Sequence, residues 1–249
     1  MRLLFINPNT SANLTELGAR VARKVALPGT EIIPATGRFG ARYIASRAAA
    51  AIAGHAVLDI YAREGKSADA VVIACFGDPG LFALRELASV PVIGMAEASC
   101  HLASTLGRKF SIVTGGHGWG PMLEEFVATI GLTTNLASVR TVASLGADIA
   151  ADPDTALDGL VQACRAAVET DRADSVVLGG LGLSGLAERV GAHVPVPVVD
   201  NVVASVRVAE AAATLGVAKA KSGSFAAATP VKTTGLSPAL AGLLEGREV

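Results

Sequence analysis

Aromatic residues are scarce in this 249-residue chain, where one Trp, two Tyr and seven Phe make up 4% of the sequence. A core built on large rings is excluded. With 51% hydrophobic residues and 27 Gly, helices and strands are expected to pack closely through Ala, Val, Leu and Gly. A dominant charge is lacking too: the formal net charge is −1 and the basic residues are scattered. No general attraction for nucleic acid or an acidic membrane follows, and a small molecule is the expected partner. Long apolar runs are missing. The stretch Ala45–Ala62 is interrupted by Arg47, His55 and Asp59, and the opening MRLLFINPNT reaches Asn-Pro-Asn too soon for a secretory segment. No membrane association and a cytoplasmic location are expected. Cysteines number three, Cys75, Cys100 and Cys164, without C-x-x-C spacing. That excludes a disulfide framework and a structural zinc site, so no metal is expected and any functional thiol is a reduced one.

Short apolar runs alternate with helical patterns: LLFI near residue 3, EIIPA at 31, AVVIA at 70, PVIGM at 91, FSIVT at 110, SVVLG at 175 and PVPVV at 195. This alternation predicts an α/β protein with mainly parallel sheet. The order also repeats. VVIACFGDPGL (71–81) aligns with VVLGGLGLSGL (176–186), with the valine pair, two glycines and the final leucine in register. LLFINPNTSANLTELGARVA likewise matches FSIVTGGHGWGPMLEEFVATI as strand, loop and amphipathic helix. A duplicated unit is the simplest account: an N-terminal α/β half over 1–100 and a C-terminal half over 101–215. The tail 216–249, with its strand-like SFAAAT, is expected to pack back on the first half. Ligands of parallel sheets bind at the carboxyl ends of strands. Four loops would then surround one cleft between the halves: Asn7–Ser11, Cys75–Gly80, Thr114–His117 and Gly180–Gly185.

Gly180, Gly182 and Gly185 spell G-x-G-x-x-G after a strand, with Asp200 at the dinucleotide-binding spacing. A Rossmann unit would come first and be followed by several more strands, whereas only 49 residues follow Asp200. Position in the repeat explains these glycines better, and no cofactor is expected. The residue opposite Gly180 in the repeat is Cys75, directly after a strand and before Phe76-Gly77-Asp78-Pro79-Gly80. Placement near a helix N-terminus predicts a lowered thiol pKa and a sulfur able to move protons at carbon. Enolate chemistry also needs oxyanion donors, and the backbone at Phe76–Gly77 and Leu181–Gly182 is placed to supply them.

INPNTS, ACFGDPGL, PVIGMAEAS, VTGGHGWGPMLEE and VVLGG…GL…PVPVVD, in this order over about residues 1–210, resemble the hydantoin and allantoin racemases of the aspartate/glutamate racemase superfamily. The resemblance implies two pseudo-symmetric α/β halves, a cleft between them, cofactor-independent proton transfer next to a carbonyl, and a homo-oligomer. It implies two cysteines facing opposite sides of the substrate carbon. Cys75 matches the first, but Gly180 stands at the second. Exchange by a thiol pair is thus impossible. Racemisation of a 5-substituted hydantoin or related amino-acid derivative through Cys75 is the leading expectation. A single-thiol decarboxylase of a malonate-like diacid, similar to arylmalonate decarboxylases, and a degenerate racemase that only binds its ligand are the alternatives. The resemblance adds Asn9 of the INPNTS loop as a substrate donor beside Thr114 and Asp78, and Phe39 and Tyr43 as pocket-covering residues. His117 is the candidate replacement acid. Trp119 is expected to serve packing.

Overall fold

The computed structural model describes residues 1–216 and 218–247. The first half runs β1 (Arg2–Asn7), α1 (Ala12–Val25), β2 (Glu31–Thr36), α2 (Arg47–Glu64), β3 (Ala70–Ile73), α3 (Leu81–Leu87), β4 (Val92–Gly94) and α4 (Met95–Leu106). The second runs β5 (Phe110–Gly115), α5 (Trp119–Thr129), β6 (Leu136–Val142), α6 (Gly146–Ala151), α7 (Pro153–Glu169), β7 (Ser175–Gly179), α8 (Ala187–Gly191), β8 (Val198–Asp200) and α9 (Asn201–Thr214). A last helix, α10 (Pro238–Leu244), follows.

Two parallel four-stranded sheets result, ordered β2-β1-β3-β4 and β6-β5-β7-β8. The same winding occurs twice, as the internal repeat predicts. Inner strands are continuous apolar runs because helices cover both of their faces: every residue of AVVI in β3 and of SVVLG in β7 is buried. β6 does not follow that rule. Its LASVRTV is half-buried throughout and lies at a sheet edge, tied down by Arg140, whose Nε donates to Asp171 at 2.6 Å, and by Ser138, which bonds the same carboxylate.

The halves are joined by exchanged helices. α4 leaves the first sheet and packs on β7, while α9 leaves the second and packs on β3, and the two helices pack on each other. One apolar core consequently runs from Phe5, Val72 and Ile73 through Met95 and Cys100 to Ile112 and Val177. Glu210 of α9, only 1% exposed, accepts the Leu27 N–H at 2.7 Å and the Thr30 hydroxyl at 2.8 Å, fixing the α1–β2 loop.

Of the 216–249 tail, Val217, Glu248 and Val249 lie outside the described residues. SFAAAT forms no strand, a correction that follows from its alanines, which pack too little surface to hold a ladder. Its Phe225 instead stacks on Phe82 of α3 at 6.3 Å between ring centroids. α10 packs on α2, Ser237 Oγ donates to Asp59 at 2.5 Å, and Lys219 Nζ reaches the carbonyls of Arg85, Glu86 and Ala88.

Candidate active site

The carboxyl ends of the two sheets face a cavity of about 490 Å³, counted to its open side. Cys75 and Phe76 line it after β3, Asn9 after β1, Thr114 at the end of β5, and Gly180, Leu181 and Gly182 after β7. Both halves therefore contribute equivalent loops. Tyr43, Ile44, Ala74, Trp119, Gly146, Leu14 and Leu183 complete the wall.

The Cys75 sulfur sits in a dry setting, with the residue 8% exposed. Burial, aided by the negative charge of Asp78, pushes the thiol from 9.0 up to about 12. This reverses the lowering expected from a helix N-terminus: α3 starts six residues further on and desolvation outweighs its dipole. At neutral pH the protonated thiol predominates.

Asp78 does not line the cavity. It is 3% exposed and caps α4, accepting the N–H of Ala96 at 2.9 Å and of Glu97 at 2.8 Å. Burial pushes its carboxyl up to about 8 against these donors. Gly77 is also outside the cavity wall; a Cβ there would lie 3.0 Å from the Trp119 ring, so this glycine seats the indole. His117 stands off the wall as well, with Nδ1 2.8 Å from the Thr141 hydroxyl. Phe39 packs on His55 at 4.9 Å between ring centroids rather than over the cavity.

Asn9 Oδ1 accepts the Asn7 amide at 2.9 Å and the Ser11 N–H at 2.8 Å, so the loop opening α1 holds it rigidly. Its Nδ2 has no protein acceptor among the described residues. Across from Cys75, Gly180 has φ +120°, a region closed to most L-residues, and its carbonyl accepts Asn201 Nδ2 at 2.8 Å. A Cβ there would lie 3.7 Å from Thr114 Oγ1. Gly182 is required by contact: a Cβ would come within 1.9 Å of the Gly146 carbonyl oxygen. The glycine motif thus lets the β7 loop press on α6. Asp200, at the dinucleotide spacing, spends its carboxylate on the N–H groups of Gly185, Val202 and Val203.

Sequence reasoning misses Gly146, Leu14 and Ile44. Trp119, expected as packing alone, lines the cavity. No group of three His, Cys, Asp or Glu able to hold a metal occurs among the described residues, nor does a helix long and apolar enough to cross a membrane.

The family model for Asp/Glu/hydantoin racemases matches residues 3–209. The chain belongs to this family. A hydantoin racemase of Paenarthrobacter aurescens is 40% identical over 228 residues, 90% of this chain and 96% of that protein. The crystal structure of an allantoin racemase from Pseudomonas fluorescens superposes with a TM-score of 0.91 at 36% identity, covering 94% of this chain and 100% of that one. An arylmalonate decarboxylase structure, at TM-score 0.63 and 20% identity over 88% of this chain and 96% of its own, shares the fold alone. The protein is accordingly a racemase-type isomerase with two pseudo-symmetric α/β halves.

Proposed function

We propose that the protein inverts a carbon next to a carbonyl in a 5-substituted hydantoin or related amino-acid derivative, by proton transfer through Cys75 and without a cofactor. The observation that carries this is the Cys75 thiol opening into a cavity lined by matching loops of both halves. The ionised sulfur removes the α-proton, and the charge moves onto the adjacent carbonyl oxygen. Asn9 Nδ2 and the N–H groups of Phe76, Leu181 and Gly182 are the donors for that oxygen and for the rest of the polar ring. Phe76, Tyr43 and Trp119 enclose the substituent. A homo-oligomer belongs to the same reading and rests on the resemblance, while a cytoplasmic location rests on the sequence reading given above.

Burial of the thiol favours a second reading. A sulfur held protonated, with glycine opposite, suits the final protonation of an enediolate left when a malonate-like diacid loses carbon dioxide. A ligand-binding protein without turnover is the third.

Polarimetry of an L-5-substituted hydantoin with the wild-type protein and Cys75→Ser tests the proposal. Decay of optical rotation with wild type, and its loss by at least about 100-fold in Cys75→Ser, is expected for a proton-transferring group. Unchanged rotation with wild type, or carbon dioxide release from an arylmalonate instead, would contradict it.

A further inference from the structure

Inversion needs a proton acceptor on one face of the carbon and a donor on the other, and Gly180 supplies no side chain for the second. The cavity wall contains two titratable side chains among the described residues, Cys75 and Tyr43. His117, the acid expected from the sequence, is outside it and paired with Thr141. Thr114 does face the position a side chain on residue 180 would take, yet an aliphatic hydroxyl is a far weaker acid than a phenol, whose ordinary pKa is about 10.

Tyr43 belongs by sequence to the first half, but its hydroxyl is lodged in the second. It donates to the Gly115 carbonyl at the end of β5 and accepts the Gly146 N–H at the start of α6, both at 3.3 Å. A Cβ on Gly116 would lie 3.7 Å from this oxygen and one on Gly146 3.6 Å, while a Cβ on Gly146 would lie 4.0 Å from Gly182 Cα. The phenol oxygen therefore sits on the wall that the β5 and β7 loops build, with Cys75 on the wall built by β3. The phenol also interacts with the Trp119 side chain, and its one donor bond, to Gly115, is long at 3.3 Å, so a ligand competes with a weak partner for the O–H. Desolvation raises the phenol above 10.0, with the negative charge of an ionised Cys75 adding to that, so the two groups share one electrostatic environment.

We infer that Tyr43 is the second acid–base group of the reaction, acting from the face opposite Cys75 in the place of the family's second thiol. The inference rests on the racemase reading given above. In one direction the Cys75 thiolate takes the α-proton, and the Tyr43 O–H bond breaks to form a new C–H bond on the other face. The resulting phenolate keeps the Gly146 N–H as donor. In the other direction the phenolate takes the proton and the Cys75 thiol delivers one. Between turnovers the thiol releases a proton to solvent and the phenolate gains one, so nothing else is consumed.

The test is Tyr43→Phe with the L- and then the D-hydantoin in deuterated water, following deuterium at the α-carbon by NMR and the enantiomers by chiral chromatography. Wild type is expected to yield deuterated product of both configurations. Tyr43→Phe is expected to invert either enantiomer at least about 100-fold more slowly, while incorporating deuterium with configuration retained into the one enantiomer whose α-proton faces Cys75. That retained exchange also shows that the variant is folded. Undiminished racemisation by Tyr43→Phe overturns the assignment. So does loss of exchange in both enantiomers together with racemisation, which would make the phenol a binding group, and so does a wild type that exchanges on one face alone. A wild type that exchanges nothing removes the racemase reading itself, and the role of Tyr43 with it.

Discussion

Cys75 has the chemistry of a buried thiol rather than of an activated one. Because burial holds it near 12, the thiolate fraction at neutral pH is small and grows with alkalinity. Its alkylation by iodoacetamide is expected to accelerate about tenfold per pH unit between pH 7 and 10, read by mass spectrometry of the Cys75 peptide. A rate that levels off near pH 8 would mean an activated thiol. A racemase rate should climb over the same range, whereas a decarboxylase that uses the protonated sulfur should not. Asp78 shows the opposite side of burial. Its ordinary pKa of 3.8 is raised to about 8 in the fold, so the folded protein holds an extra proton between those values. The stability this proton contributes is complete at the acid end and is lost as pH rises through about 8. Asp78→Asn removes the titration, so urea unfolding should show wild type losing stability relative to the variant from pH 4 to pH 8. Asp78→Ala, which leaves the Ala96 and Glu97 N–H groups without their acceptor, should cost about 1–2 kcal/mol.

At the scale of elements, the site depends on how closely the β7 loop approaches α6. Gly182→Ala puts a methyl group 1.9 Å from a backbone oxygen, and backbone cannot yield as a flexible side chain does. A loss of about 1–3 kcal/mol in urea unfolding, together with reduced activity, is expected; an unperturbed variant would mean that the α6 contact is adaptable. What the sequence reveals follows the same physics. Inner strands such as AVVI and SVVLG are legible because they are buried on both faces. β6 is not, since an edge strand that mixes Ser138 and Arg140 with valines has no continuous run, and its end at Val142 is what delivers Gly146 to the cavity. Missing the strand means missing the glycine. Tyr43 can be picked out as a covering residue, but nothing in RYIAS tells that its hydroxyl bonds the far half. Trp119 is read as packing because it opens an amphipathic helix, although helix openings after β5 are also where the cleft begins. The sign of the Cys75 shift is illegible from sequence, since helix dipole and burial act in opposite directions and only the depth of the sulfur decides between them.

At the scale of the molecule, the crossed α4 and α9 make each sheet dependent on a helix that follows the other one. The two halves should therefore unfold as one unit. Fluorescence of the single tryptophan, Trp119 in the cavity wall, and far-UV circular dichroism are expected to give coincident urea transitions. A separate, earlier fluorescence change would show that the cavity opens before the sheets are lost. The same architecture defines the central claim, a proton moved by one sulfur held between two matching halves. Solvent deuterium entering the α-position of an L-5-substituted hydantoin, compared between wild type and Cys75→Ala, tests it most directly. With the D form run beside the L form, incorporation into both by wild type and none above background into at least one of them by Cys75→Ala is the predicted result. Equal incorporation by both proteins would contradict the account.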